Sequence, residues 1–155
     1  MPSIVPNLWF DSDGEEAARF YCSVFPNSAI TLVTHYGENA PRPAGTVLTV
    51  DFTLDGQRFT AINGGPQFTF DEAVSFLIEC ADQAEIDAYW ATLTAGGEEG
   101  SCGWLKDRYG LSWQVVPAGW AELMKDPARA DRAMQAVFTM SKIDMAAVWA
   151  AADAT

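Results

Sequence analysis

The chain has 155 residues, of which 49% are hydrophobic and 19% charged, a composition typical of globular folds rather than disordered segments. Its formal net charge of −12 argues against nucleic acid or an anionic membrane surface as a partner, because both would be repelled. No basic leader and no apolar run long enough to cross a bilayer is evident, so we expect a cytoplasmic protein.

Three cysteines, Cys22, Cys80 and Cys102, are present without CxxC spacing. An odd number of scattered cysteines favours reduced, structural thiols over a disulfide framework or a zinc cluster.

The first half predicts the order β-α-β-β-β. An apolar strand over residues 4–10 is followed by Ser12 and Glu15, which have the spacing of a capping box at a helix start. The predicted helix buries the apolar positions Ala17, Ala18, Tyr21, Val24 and Phe25, and it ends at Pro26-Asn27. The three strands that follow are predicted over residues 30–35, 46–54 and 57–62, the last two joined by a tight turn at Asp55-Gly56.

The second half repeats this order. A strand over residues 74–80 precedes Asp82 and Glu85, a second pair typical of a helix start. Gly96-Gly97 is expected to end this helix through a left-handed cap. The buried helix positions are expected to be Ile86, Tyr89, Trp90 and Leu93, and further strands are expected around residues 102–106 and 111–116.

The two halves can be compared within the sequence itself. The aromatic pairs Phe20-Tyr21 and Tyr89-Trp90 are offset by 69 residues, and the same offset places Pro6 opposite Ser75 in the opening strands. This agreement predicts an internal duplication.

The last part of the chain has a different character. Asp126 before Pro127 and, later, Asp144 are typical helix starts. The apolar positions of the two helices must be buried, either on the chain's own sheet or against a second copy, and we expect part of them to serve a homodimer. These positions are Ala130, Ala133, Met134, Val137 and Phe138, then Met145, Val148, Trp149 and Ala152.

Four segments carry a resemblance to a known family. The chain resembles the PhnB-like family, also labelled demethylubiquinone methyltransferase-like, within the vicinal oxygen chelate superfamily of glyoxalase and bleomycin-resistance proteins. The segments are LWFDSDGEEAARFYCSVFPNS, FTLDGQRFTAINGGPQF, GGEEGSCGWLKDRYGLSWQVVP and MQAVFTMSKIDMAAVWAA.

This resemblance implies an α+β fold of paired βαβββ modules, whose mixed sheets curl around one cavity that a homodimer completes or covers. The first module is expected over residues 1–66, the second over 67–117 and a helical extension over 118–155, all within one vicinal oxygen chelate domain.

The resemblance also indicates where metal-binding relatives place His or Glu. The implied positions on the opening strands are Pro6 and Ser75, and the implied position on the last strand of the second module is Gln114. Matching the turn glycines Gly56 and Gly110 puts Thr60 opposite Gln114, with Ala61 as the alternative if the register slips by one residue.

These residues offer no imidazole, carboxylate or thiolate, the groups from which divalent-metal sites are built. We therefore expect no metal and no other cofactor. The lone histidine, His35, is interpreted as a surface imidazole at a strand end.

Strand alternation adds two residues to the same surface. Ser75, Leu77 and Glu79 share one face of their strand, as do Ser112 and Gln114 on theirs. Glu79 is the candidate catalytic residue if it is buried beside Leu77, whereas a strand-end carboxylate in water is the alternative.

Four further features allow two interpretations each. Trp104 and Trp9 could stack on a flat ligand or belong to the core. Cys102, between Gly100 and Gly103, could expose its thiol or be structural. The turn at residues 63–66, NGGP, has glycine amides that a ligand could approach, although linking the modules is its simpler role. The segment Lys106-Asp107-Arg108 is expected to be a solvated turn, with contact between a basic side chain and an anionic ligand as the alternative.

Two classes of function remain. The first is binding of a small organic molecule in a metal-free cavity. The second is a small-molecule enzyme of the lyase or isomerase type with Glu79 as the candidate catalytic group. A weakly bound metal that assists such an enzyme is an alternative within this second class. Methyl transfer is not expected despite the family label, because the chain lacks the Gly-rich turn and long parallel α/β pattern of a doubly wound methyltransferase.

Overall fold

Two four-stranded mixed sheets organise the chain, one in each of two units, Met1–Phe70 and Asp71–Thr155. The computed structural model describes residues 1–155. In each sheet one pair of neighbouring strands is parallel and the other pairs are antiparallel. Each unit also contains at least one helix. The α+β fold predicted from the sequence is confirmed.

The first unit follows the predicted order β-α-β-β-β. Its elements are β1 (Asn7–Phe10), α1 (Gly14–Val24), β2 (Ala29–His35), β3 (Val47–Leu54) and β4 (Gln57–Asn63). The sheet order is β1-β4-β3-β2, with β1 parallel to β4. The β3–β4 turn has φ of 46° at Asp55 and 79° at Gly56, the positive values that a two-residue hairpin turn requires.

Helix α1 covers one face of the first sheet. The ring of Tyr21 stacks on Phe52 of β3 with the ring centroids 6.5 Å apart. A Cβ at Gly14 would lie 3.3 Å from the Cβ of Ala61 in β4, so the start of the helix packs directly on the sheet. We refer to the opposite face of this sheet, which carries Asp51 and Thr60 by strand alternation, as the α1-distal face.

Helix α1 does not begin with the capping box predicted at Ser12 and Glu15. The residue before the helix is Asp13, and its side chain makes no capping hydrogen bond. Instead the amide of Gly14 donates to Oδ1 of Asn63, at the end of β4, at 2.8 Å. A residue far away in sequence therefore caps the helix, which a local pattern cannot reveal.

The second unit contains one sheet and four helices. Its elements are β5 (Ser75–Cys80), α2 (Gln83–Thr94), β6 (Glu98–Glu99), β7 (Trp104–Lys106), β8 (Ser112–Pro117), α3 (Trp120–Leu123), α4 (Pro127–Val137) and α5 (Met145–Ala152). The sheet order is β5-β8-β7-β6, with β5 parallel to β8. The short elements β6 and α3 were not predicted because two and four residues carry too little periodicity.

Helix α2 has the predicted start. Oδ1 of Asp82 accepts from the amide of Glu85 at 2.9 Å, while the Glu85 carboxylate accepts from the amide of Ala81 at 2.8 Å. The indole of Trp90 donates to the carboxylate of Glu99 at 2.8 Å, which places the helix over the face that also carries Leu105 and Trp113. The opposite face of this sheet is the α2-distal face.

The apolar positions of the C-terminal helices are only partly buried inside the chain. Ala133, Val137, Val148 and Ala152 are buried in a cluster with the end of β8, the other predicted positions except Phe138 are half-buried, and Phe138 is 66% exposed. The buried members of the cluster are Val116, Leu123, Ala133, Val137, Ile143, Val148 and Ala152. No helix in the chain is both long and apolar enough to cross a lipid bilayer.

Candidate functional site

Strand register determines which positions of the two units correspond. In the first sheet Asn7 of β1 pairs with Thr60 of β4, and in the second Leu77 of β5 pairs with Gln114 of β8. Thr60 and Gln114 both lie four residues after a turn glycine with positive φ, Gly56 and Gly110. Asn7 and Leu77 are therefore the corresponding residues of the opening strands.

The predicted correspondence between Pro6 and Ser75 is wrong by one residue. The connection between β1 and α1 comprises residues 11–13, whereas the connection between β5 and α2 comprises only residues 81–82. The offset of 69 residues was measured between the two helices, where Tyr21 and Trp90 are both buried. When it is applied to the opening strands, it therefore pairs residues that are one position out of register. A one-residue slip moves a side chain to the other face of a sheet.

The α2-distal face brings together most of the predicted ligand-binding residues. Leu77, Gln114 and Trp104 lie side by side on adjacent strands, and Ser75, Ser112 and Lys106 form the next row. Nε2 of Gln114 donates to Oγ of Ser75 at 3.0 Å, a hydrogen bond between the two rows. This bond uses one amide proton and leaves the Gln114 carbonyl oxygen able to accept.

Ser112 differs from its neighbours in exposure. Its side chain is fully buried and its hydroxyl has no hydrogen-bond partner in the chain, whereas Ser75, Gln114 and Trp104 are half-buried. Direct contact with a ligand is thus open to these three residues but not to the Ser112 hydroxyl as it stands.

Glu79 lies on the same face and does not meet the condition of burial that a catalytic role required. Its side chain is exposed, and Leu77 is itself 49% exposed. Glu79 pairs with Val116, which belongs to the C-terminal cluster. The alternative of a strand-end carboxylate in water describes its surroundings better.

Cys102 has a structural environment. Its φ of 61° is unusual for a residue with a side chain, its amide donates to the carbonyl of Met140 at 2.8 Å, and its half-buried side chain packs against the C-terminal cluster. All three cysteines are free thiols. Burial raises the pKa of Cys80 to about 11, assisted by the charges of Glu85 and Asp82, and burial also raises the pKa of Cys22.

In the first unit, Pro6 and Thr60 are joined through the backbone. The carbonyl of Pro6, just before β1, accepts from the amide of Thr60 at 2.9 Å. The hydroxyl of Thr60 donates to Oδ1 of Asp51, its neighbour on β3, at 2.7 Å. The sequence analysis missed Asp51, although its position between the buried residues Val50 and Phe52 predicts that it points to the α1-distal face.

The turn at residues 63–66 does not offer free amides. The amide of Gly64 donates to the carbonyl of Phe10 at 2.9 Å and that of Gly65 to the carbonyl of Asp11 at 3.2 Å. The indole of Trp9 donates to the carbonyl of Gly65 at 2.9 Å, and a Cβ at Gly64 would lie 2.2 Å from the indole ring. The glycines therefore accommodate Trp9 and do not form an anion site.

The segment Lys106-Asp107-Arg108 is not simply a solvated turn. Asp107 is only 3% exposed, and its carboxylate accepts from the indole of Trp113 at 2.9 Å. Nζ of Lys106 lies 2.5 Å from the carboxylate of Glu72. This hydrogen bond raises the pKa of Lys106 and lowers the pKa of Glu72.

The residues at the corresponding strand positions do not fit a divalent metal. Asn7, Thr60, Leu77 and Gln114 provide neutral oxygen atoms at most, and the chain has no group of three or more His, Cys, Asp or Glu side chains placed to hold an ion. We derive no reaction step through a metal.

Two comparisons with known proteins decide the family. A family model described as 3-demethylubiquinone-9 3-methyltransferase matches residues 2–116. A Bacillus cereus PhnB protein, provisionally described as a 3-demethylubiquinone-9 3-methyltransferase, is 36% identical, with 76% of this chain and 100% of that chain covered and a TM-score of 0.69. The chain belongs to the PhnB-like family. A search of curated protein sequences found no significant match.

More distant structures share the fold of this PhnB-like protein. Protein PA1353 from Pseudomonas aeruginosa is 20% identical, with 76% of this chain and 98% of that chain covered and a TM-score of 0.61. The genomically encoded fosfomycin resistance protein FosX from Listeria monocytogenes is 15% identical, with 81% and 98% covered and a TM-score of 0.56. The architecture is thus that of the glyoxalase and bleomycin-resistance fold.

Proposed function

We propose that this PhnB-like protein binds a small organic molecule on the α2-distal face of its second sheet without using a divalent metal. The observation that carries the proposal is the hydrogen bond from Gln114 to Ser75, because it holds the side-chain amide of Gln114, whose strand neighbours are the half-buried Trp104 and the exposed Leu77. Small-molecule sites combine apolar and aromatic side chains with a few oriented polar groups in this way.

The predicted contact residues have different roles in the proposed site. Trp104 and Leu77 supply apolar contact area, and Gln114 and Ser75 supply hydrogen bonds. Ser112, buried on the same strand as Gln114, makes no direct contact with the ligand in this proposal, and Cys102 precedes the strand that carries Trp104. Pro6 and Thr60 serve the first sheet, where Thr60 orients a carboxylate.

Methyl transfer is not part of the proposed function. Doubly wound methyltransferases bind their cofactor at the carboxyl ends of a largely parallel sheet, beside a Gly-rich turn that opens a helix. Here each sheet has only one parallel pair, and the Gly64-Gly65 turn holds Trp9. The family description alone does not supply the site that this chemistry needs.

Catalysis of the lyase or isomerase type, with Glu79 as acid or base, is the second candidate. Glu79 shares the face with Gln114, which favours it, but its exposure to solvent favours binding without catalysis. Loss of turnover with retained affinity in Glu79→Gln would establish the enzyme.

We also propose a cytoplasmic homodimer that does not bind nucleic acid. The exposed apolar side chain of Val74, 64% exposed just before the edge strand β5, favours a protein contact. Three free thiols favour a reducing compartment, and the net charge of −12 disfavours nucleic acid. Light scattering across protein concentrations tests the dimer.

A fragment screen tests the binding proposal. Neutral oxygenated aromatic fragments are expected to raise the melting temperature of the wild type, because a ligand stabilises the state that it binds. Gln114→Leu is expected to remove this increase, whereas Gln135→Leu, on the exposed side of α4, should retain it. Equal responses in both variants, or elemental analysis showing about one tightly held divalent metal per chain, would contradict the proposal.

A further inference from the structure

The first sheet carries a partly buried carboxylate that none of the chain's ion pairs uses. Asp51 lies on β3, on the α1-distal face, with Thr60 of β4 on one side and Leu32 of β2 on the other. The hydroxyl of Thr60 donates to Oδ1 at 2.7 Å. Oδ2 is left without a donor from this pair, although a carboxylate can accept several hydrogen bonds.

The surroundings of Asp51 combine this charge with apolar surface. Leu32, its strand neighbour on β2, is 53% exposed and offers apolar surface next to the carboxylate. The neighbouring hydroxyl groups of Thr34 and Thr49 are bonded to each other and do not reach the carboxylate. Arg58, the cation on the same face, lies opposite Thr53 and forms no ion pair with Asp51.

We propose that Asp51 is a recognition group for a small organic cation, such as a primary ammonium, with Thr60 holding the carboxylate in place. The ammonium donates to the free side of the carboxylate, and the hydrocarbon part of the ligand lies over Leu32. The net charge of −12 concentrates cations near the chain and disfavours an anionic ligand. This site lies on the first sheet and does not depend on the site proposed on the second.

Three probes that share one ring separate charge from shape: benzylamine, benzyl alcohol and benzoate. Each is titrated into 15N-labelled protein while amide chemical shifts are followed. Benzylamine, which is protonated at neutral pH, is expected to shift the amides of Asp51, Thr60 and Leu32 with saturation. It is expected to bind more tightly than benzyl alcohol. Benzoate is expected to leave these amides unshifted.

The decisive variant is Asp51→Asn. Its carbonyl oxygen still accepts from Thr60, so the fold is retained, and an unchanged amide spectrum away from β3 verifies this. Affinity for benzylamine is expected to fall by about tenfold to a hundredfold, the contribution of a charge-assisted hydrogen bond. The matched control is Asp55→Asn, which removes the same charge at an exposed turn whose positive φ asparagine tolerates.

The outcomes are distinct. The inference is supported if Asp51→Asn loses benzylamine affinity and Asp55→Asn retains it. It is overturned if both variants bind equally well, if both lose affinity to the same extent, or if benzyl alcohol shifts the amides of Asp51, Thr60 and Leu32 with the same affinity as benzylamine. Gln114→Leu separates this inference from the proposed function, because that variant should leave benzylamine binding unchanged while abolishing the response to neutral fragments.

Discussion

The indole nitrogen of Trp113 donates a hydrogen bond to Oδ2 of Asp107 at 2.9 Å, and both side chains are buried. The other carboxylate oxygen accepts from the amides of Tyr109 and Leu111 at 2.8 and 3.1 Å. A single side chain therefore closes the β7–β8 turn and fixes the tryptophan that faces α2. The segment KDRYGLSW thus contains both partners of this hydrogen bond and the turn between them.

Asp107→Ala is expected to lower the free energy of unfolding by about 2–4 kcal/mol, because it leaves buried donors without an acceptor. Urea denaturation followed by tryptophan fluorescence measures the change. Asp131→Ala, at an exposed position of α4, should change stability by less than about 0.5 kcal/mol. A loss of the same small size in both variants would mean that water replaces the Asp107 carboxylate in the turn.

Much of the architecture follows from sequence pattern alone. All the strands and helices except the short β6 and α3 were predicted, because alternation, helical periodicity and caps such as Asp82, Asp126 and Asp144 act locally. Two of the failures share one cause, which is dependence on a residue elsewhere in the chain. Asn63 caps α1 from the end of β4, and Asp107 is buried by its partner Trp113.

The candidate site was predictable in part for the same reason. The alternation that groups Ser75 with Gln114 is a local property, and the register confirms it. The predicted match between Pro6 and Ser75 was wrong because it used an offset measured between the helices. The strand-to-helix connections of the two units, residues 11–13 and 81–82, differ in length, so this offset does not hold for the strands. Asp51 was not predicted because the positions that the resemblance implies lie on other strands, and none lies on β3.

Asn63 provides the second test of stability. Asn63→Ala removes the acceptor for the Gly14 amide and also the donor to the carbonyl of Val47 at 3.2 Å. We expect a loss of about 1–3 kcal/mol, the range for a helix cap combined with a buried hydrogen bond. Thermal and urea unfolding of this variant should be compared with Asn39→Ala, an exposed position outside any helix or strand.

An unchanged stability in Asn63→Ala would show that Asp13 or solvent caps α1 as well as Asn63 does. Asn63→Asp refines the result. Its carboxylate still accepts from Gly14 and favours the helix start, but it cannot donate to Val47. Its stability is therefore expected to lie between those of the wild type and Asn63→Ala.

Gly64 tests the packing of Trp9. A methyl group at position 64 would lie 2.2 Å from the indole ring, so Gly64→Ala must displace the ring and weaken its hydrogen bond to Gly65. We expect a loss of about 1–3 kcal/mol together with a changed near-ultraviolet circular dichroism spectrum. Gly37→Ala is the matched control, because a Cβ there has no atom within 4 Å. If Gly64→Ala behaved like this control, the indole would have room to move aside at little cost.

The ion pair between Lys106 and Glu72 predicts a pH dependence. The hydrogen bond from Lys106 lowers the pKa of Glu72 in the folded chain, so the folded state binds a proton there less readily than the unfolded state does. Its contribution to stability is present above the ordinary pKa of a glutamate and is lost as the pH falls through the lowered value. Because the pKa of Lys106 is raised by the same bond, the contribution is also lost at high pH, as the pH rises through the raised value.

Glu72→Gln makes this dependence measurable. The difference in melting temperature between the wild type and this variant should be present at neutral pH, shrink below about pH 4, and diminish with added salt, because the pair is accessible to solvent. Glu38→Gln, at an exposed loop position without an ion pair, is the control and should show no such pattern. A difference that stays constant from acidic to neutral pH would assign the effect of Glu72 to packing and not to its charge.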